Sequence, residues 1–258
     1  TSNFTIDTKS PTVISFTLTD SALKIGGTAT VKLIFSEAVS GFSSDDDVTV
    51  QNGSLSTMTT SDNIIWTGTF TPTSSITDSS NILSLSTAYT DTAGNAGPSA
   101  TTSNYEIDTT SPTVTTFTMS DTALKIGDTA NVTLVFSEQV SNFSNDDIIV
   151  QNGTLSTMTT SDNITWTGTF TSTSNIEDTT NILTLGTFYT DLAGNTGPSA
   201  TTSNFEIDTS LPTIISVTPS WGSYLNATDD NSNGTFSITT TGIEDGQTFT
   251  ITLDGNNY

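Results

Sequence analysis

Residues 28–36 read Thr-Ala-Thr-Val-Lys-Leu-Ile-Phe-Ser, and residues 129–137 read Thr-Ala-Asn-Val-Thr-Leu-Val-Phe-Ser. Ala29, Val31, Leu33 and Phe35 alternate with Thr30, Lys32, Ile34 and Ser36. A two-residue period puts alternate side chains on opposite faces, which is the mark of a half-buried strand. The second copy keeps the apolar set as Ala130, Val132, Leu134 and Phe136 and changes the other set to Asn131, Thr133 and Val135. Two copies within one chain therefore separate core positions from surface positions. The same split appears at Ile64, Trp66 and Phe70, read as inward, against Ile65, which becomes Thr165.

Working outward, nearly everything else repeats as well. Thr-Ser-Asn-aromatic-x-Ile-Asp-Thr starts at residues 1, 102 and 202, steps of 101 and 100. A period of one small domain, in tandem, signals a modular array. Seven strands fit the first repeat: Thr12–Thr19, Thr28–Ser36, Asp47–Gln51, Ser54–Thr59, Ile64–Thr71, Asn81–Tyr89 and Thr101–Ile107. The breaks carry turn chemistry at Ile25-Gly26-Gly27, Asn52-Gly53, Ser61-Asp62-Asn63 and Gly94-Asn95-Ala96-Gly97-Pro98. Short strands at this spacing, with no helical period, predict an all-β protein of tandem immunoglobulin-like sandwiches forming an extended rod. The predicted limits are 1–8 for the last strand of a preceding repeat, 9–107 and 108–207 for two full repeats, and 208–258 for the start of a divergent, incomplete one. Trp66 is expected to fill the core without a disulfide beside it.

Composition narrows the function. The 258 residues include no Cys, His or Arg, and 4 Lys face 27 carboxylates for a net charge of −23. Disulfide and thiol chemistry, the commonest general base and the usual zinc ligands are absent. Nucleic acid needs a basic stripe, and an anionic membrane would repel the chain. No run of eighteen apolar residues is present, so no membrane insertion is expected in this segment. No signal peptide is visible, as expected of a window cut from inside a longer array. The abundance of Thr, Ser and Asn suits an extracellular or cell-surface protein. Asn-x-Ser/Thr sites begin at Asn3, Asn52, Asn131, Asn142, Asn152, Asn163, Asn226 and Asn233, a number that so Ser/Thr-rich a chain reaches by chance.

The partners that this charge favours are cations. In an immunoglobulin-like topology, the loops after the second and sixth strands meet at the pole where the chain enters. In the second repeat this gathers Asp108, Glu138, Asp146, Asp147, Asp191 and Asn195, with Glu106 ending the strand before. In the first it gathers Asp7, Glu37, Asp46, Asp47, Asp91 and Asn95. Clustered carboxylates repel unless a hard divalent cation with six to eight oxygen ligands relieves them. Irregular loop geometry suits calcium better than magnesium. No EF-hand pattern is present, and Asp and Asn are also ordinary turn residues; Asp20, Asp62 and Asp78 are read as such. Pro11, Pro112 and Pro212 each follow a linker Asp by four residues and restrict the hinge.

Leu-Lys-Ile-Gly-x-Thr-Ala, Phe-Ser-Glu-x-Val, Asp-Asp-x-x-Val-Gln-Asn-Gly, Trp-Thr-Gly-Thr-Phe-Thr and Tyr-Thr-Asp-x-Ala-Gly-Asn-x-Gly each occur twice. Over residues 9–209 these motifs resemble the bacterial Ig-like repeats of giant surface adhesins of the repeats-in-toxin and biofilm-associated types. That resemblance implies an extended, calcium-stiffened stalk that carries an adhesive tip away from a cell. The leading reading is a structural spacer of an extracellular adhesin or surface filament. Its partners are neighbouring repeats, self-association, and a glycan or host surface reached through other domains. A carbohydrate- or receptor-binding module is the alternative, with Trp221 and Tyr224 as sugar-stacking groups. A filament built by strand donation from residues 1–8 is a further one. Catalysis is not expected: paired carboxylates can hydrolyse glycosides, but every such pair here lies in a repeated loop.

Overall fold

The computed structural model describes residues 5–220, 235–243, 250, 252–253 and 256–257. The first repeat contains β1 (Val13–Leu18), β2 (Ala22–Lys24), β3 (Ala29–Phe35) and β4 (Val39–Ser40), then the single turn α1 (Ser44–Asp47) and β5 (Val48–Thr49). It continues with β6 (Gly53–Leu55), β7 (Ile65–Pro72), β8 (Thr77–Asn81) and β9 (Ser84–Leu85), and closes with β10 (Thr90–Asp91), β11 (Ala100–Thr101) and β12 (Tyr105–Asp108). One layer is the four-stranded sheet β1-β3-β7-β6. The other layer is divided into β2-β12-β8, β11-β9-β5 and β10-β4. The second repeat reproduces this order, from Val114–Met119 to Phe205–Asp208.

The alternation read at residues 28–36 is what closes the two layers. Ala29, Val31, Leu33 and Phe35 are all but fully buried, in one cluster with Phe70 of the same layer and Leu23, Leu85, Tyr89, Tyr105 and Ile107 of the other. Each such Val, Leu, Ile or Phe side chain taken from water contributes about 1.5–3 kcal/mol. Trp66 lies at the edge of the cluster, 4.8 Å from Phe42 in a T-shaped contact. Its indole Nε1 is buried without a hydrogen-bond acceptor.

Seven expected strands became twelve shorter ones, for local reasons. The expected strand at Asp47–Gln51 begins only at Val48, because residues 44–47 close a helical turn around the Asp47 carboxylate. The expected strand at Asn81–Tyr89 is broken, because Asn81 turns its side chain inward, donating to the carbonyls of Asp78 and Tyr105 and accepting from Asn52. Ala22–Lys24 and Val39–Ser40 carry too few residues for periodicity to reveal them.

Past the second repeat, Thr213–Pro219 pairs antiparallel with Phe236–Thr241, with a register irregularity between Ile214 and Ser216. The first strands of both repeats carry the equivalent irregularity, between Val13 and Ser15 and between Val114 and Thr116. Ile214, Ile215 and Val217 are exposed. Trp221 and Tyr224 lie outside the described residues. Ile6 is 74% exposed, whereas its equivalents Ile107 and Ile207 are each 1% exposed. Among the described residues, no helix is long and apolar enough to cross a membrane.

Candidate functional site

The entry pole of each repeat is built on a Tyr-Thr-Asp-x-Ala-Gly-Asn-x-Gly loop. Tyr189 is fully buried and donates its hydroxyl hydrogen to the Pro198 carbonyl at 2.7 Å. Gly197 lies so close to this ring that a Cβ there would fall 2.1 Å from it, so the loop can wrap the tyrosine only with glycine at that point. Gly194 has φ +91°, a left-handed conformation that costs glycine little. This shape curls the loop around Asp191, which is 1% exposed. Its Oδ1 accepts the N–H groups of Gly194 at 2.7 Å and Asn195 at 2.8 Å, and its Oδ2 accepts the Asn195 amide at 2.7 Å.

Two further carboxylates approach Asp191. Asp108 ends the last strand of the first repeat, where its Oδ1 accepts from the Thr77 hydroxyl at 3.0 Å and the Thr110 N–H at 3.2 Å. Glu138 follows the strand Thr129–Phe136 of the second repeat. Asp108, Glu138 and Asp191 each present an oxygen within 4.8 Å of the others. Burial pushes the Glu138 carboxyl above the usual carboxylate range, and the charges of Asp108 and then Asp191 push the same way. Asp7, Glu37 and Asp91 form the equivalent group at the first repeat. There the Asn95 amide at 2.8 Å is the main cause that holds Asp91 below the usual range, against desolvation and with help from loop N–H groups.

The structure thus brings together three carboxylates of each expected set and leaves three members out. Asp47 and Asp147 are buried in capping roles: Asp47 Oδ2 accepts the Ser43 N–H at 2.9 Å and its Oδ1 the Ser86 hydroxyl at 3.0 Å, and Asp147 Oδ2 accepts the Ser144 N–H at 2.8 Å. Asp46 and Asp146 are exposed on the same turns. The cause is the short pairing of β4 with β10, in which Val39 faces Asp91 and Ser40 faces Thr90. Past this pairing the chain leaves Asp91, so the later acids of that loop fall outside the cluster. Asn195 is beside the cluster but not an open ligand. Its amide donates to Asp108 O at 2.9 Å, Thr110 O at 3.3 Å and Asp191 Oδ2, and its Oδ1 accepts the Ile25 N–H at 2.8 Å. Asn95 likewise donates to Asp7 O, Lys9 O and Asp91 Oδ2. Sequence reasoning missed the contact of Ile25 and Lys24 with this loop; the recurrence of Leu-Lys-Ile-Gly with unchanged residues was the available signal.

Three carboxylates from two successive domains, with oxygen donors only, suit a hard divalent cation. These features define a tandem array of immunoglobulin-like sandwiches with acidic junctions. Residues 7–107 and 108–207 each match the family described as bacterial Ig-like domain, and the chain belongs to that family. A search of curated proteins finds no match. Among solved structures, a three-Ig-domain titin fragment carrying glutamate-to-alanine changes is similar at a TM-score of 0.45 and 11% identity, covering 81% of this chain and 69% of that one.

Proposed function

We propose that this segment is a spacer of an extracellular bacterial adhesin or surface filament, and that calcium stiffens its domain junctions. The observation that carries the reading is the recurrence of the same three-carboxylate group at both entry poles. Asp108 ends a strand of one repeat, while Glu138 and Asp191 belong to the next. A cation shared by them would hold the two repeats at a fixed angle and relieve their mutual repulsion. Asp7, Glu37 and Asp91 would do the same toward whatever precedes the first repeat. Extracellular modules commonly bind calcium with dissociation constants of about 10⁻⁴–10⁻³ M. Millimolar external calcium would then rigidify the array, and a chelated chain would be more pliant. The role requires no catalytic step, and the absence of His, Cys and Arg agrees with a mechanical one.

Calorimetric titration of the full chain with calcium, paired with small-angle scattering in calcium and in chelator, tests the proposal. Expected are two sites of similar affinity and a longer, narrower particle with calcium. Absence of binding heat together with unchanged dimensions would overturn it.

A further inference from the structure

We infer that successive repeats are also joined by a second, metal-independent interlock, in which the Lys-Ile-Gly turn of one domain is read by the Asp-x-x-Gly-Asn loop of the next. The observation is the placement of Asn195, which is 2% exposed and bonded on every side. Its amide must donate to the two linker carbonyls of Asp108 and Thr110 and to the Asp191 carboxylate, all of which can only accept. The Oδ1 is thereby fixed in the opposite direction, where the Ile25 N–H of the preceding repeat meets it at 2.8 Å. Beside it, Lys24 Nζ donates to the Gly194 carbonyl at 3.2 Å. A Cβ at Gly194 would lie 3.0 Å from that Nζ, so a side chain there would have to displace the lysine end, besides straining the left-handed backbone that Gly194 adopts.

Neither of these cross-domain bonds uses a carboxylate, and neither needs a metal ion. An amide already held by three acceptors loses little further freedom on meeting a fourth partner, so the contact is preorganised. Asn195 therefore acts as a positioning residue: it couples the linker, the acidic loop and the preceding domain through one side chain. The interlock does not depend on the calcium reading. It predicts that the first two repeats stay aligned in chelator, with calcium adding to a junction already formed.

The second repeat supplies a matched control. In both repeats the turn is closed by an i to i+3 hydrogen bond, Gly27 N–H to Lys24 O at 2.9 Å and Asp128 N–H to Lys125 O at 3.0 Å. Gly26 and Gly127, third in each turn, have φ +73° and +84°. This is a type II turn, in which proline is favoured at the position held by Ile25 and Ile126. Ile25→Pro removes the N–H that Asn195 accepts while suiting the turn, and Ile126→Pro makes the same change where no described residue accepts that N–H.

The test uses the full chain, which has no native cysteine. Spin labels at Thr67→Cys and Thr167→Cys, both exposed, report the interdomain distance distribution in chelator and again in calcium. Expected in chelator is a narrow distribution for the parent and for Ile126→Pro, and one broadened about twofold or more for Ile25→Pro, toward the motion usual between domains with small interfaces. A parent distribution in chelator as broad as that of Ile25→Pro would overturn the interlock. If Ile25→Pro does not fold, Asn195→Ala against Asn95→Ala gives the same comparison. Both lose the amide's bonds to the entering linker and to the loop aspartate, and only Asn195→Ala also loses the bond to Ile25; equal breadth in that pair would overturn the inference. Failure of calcium to narrow any distribution would count against the calcium reading alone.

Discussion

Replacing Glu138 with glutamine should stabilise the second repeat in chelator and weaken its response to calcium. Two carboxylates 4.8 Å apart repel by about 0.9 kcal/mol in a medium of water-like dielectric constant. Glu138→Gln removes two of the three such pairs, about 1.7 kcal/mol before screening. At physiological ionic strength, with a screening length of about 8 Å, roughly 1 kcal/mol remains. For a domain of this size, that is a rise in melting midpoint of about 4–8 °C. With calcium the order of the two proteins should close or reverse. A bound ligand at ten times its dissociation constant stabilises the parent by about 1.4 kcal/mol, and the variant lacks one of the three carboxylates. The sign with pH follows from the raised Glu138 carboxyl. The folded state takes up this proton before the unfolded state does. In chelator the contribution of this carboxyl should therefore become more favourable as pH falls from neutral through the raised value, and level off below the ordinary glutamate range. The glutamine variant should lack that gain. The indole signals of Trp66 and Trp166, followed by NMR through thermal unfolding, report the two repeats separately. A lower midpoint for Glu138→Gln in chelator would refute the reasoning, since it would mean that the carboxylate is held by favourable bonds instead of being crowded by like charge.

Two further predictions concern the core. The Tyr105 hydroxyl is buried without a partner, and the second repeat has Phe205 at that position. Tyr105→Phe should raise first-repeat stability by about 1 kcal/mol, the cost of an unsatisfied buried polar group; a loss of 1 kcal/mol or more in denaturant titration would show an unseen partner. Burial pushes the phenols of Tyr89, Tyr105 and Tyr189 up to about 12, Tyr89 with help from the Asp47 charge. Their folded values exceed the unfolded one, so stability should fall as pH rises above about 10. Ultraviolet titration of the folded chain should show these three tyrosines silent at pH 10; the roughly half-ionisation of a free phenol at that pH, seen for all 5 tyrosines without unfolding, would contradict their burial.

The inward positions of the long strands could be read directly, because alternation at Ala29–Phe35 is a property of neighbouring residues and the second copy repeats it. Turns at Asn52-Gly53 and Gly94-Asn95 were equally legible, since their residues are the ones that left-handed backbone tolerates. The pooling of acids at the entry pole followed from topology. What could not be read was which acids meet. Glu37 and Asp47 lie in one loop, yet only Glu37 reaches Asp91, because a two-residue strand decides where the chain turns and two residues have no period. The same limit hid the role of Asn195. Its residue type suits a metal ligand, a turn or a cap equally well. Its actual partners, Ile25, Asp108, Thr110 and Asp191, lie up to 170 positions away and come together only once two domains have folded and docked. The sequence alone determined the repeat, the strand faces and the glycine-dependent turns, all of them consequences of local stereochemistry and periodic burial. Tertiary structure decided which carboxylates share a site and which side chain joins the domains, because those depend on distances between segments that no local pattern encodes.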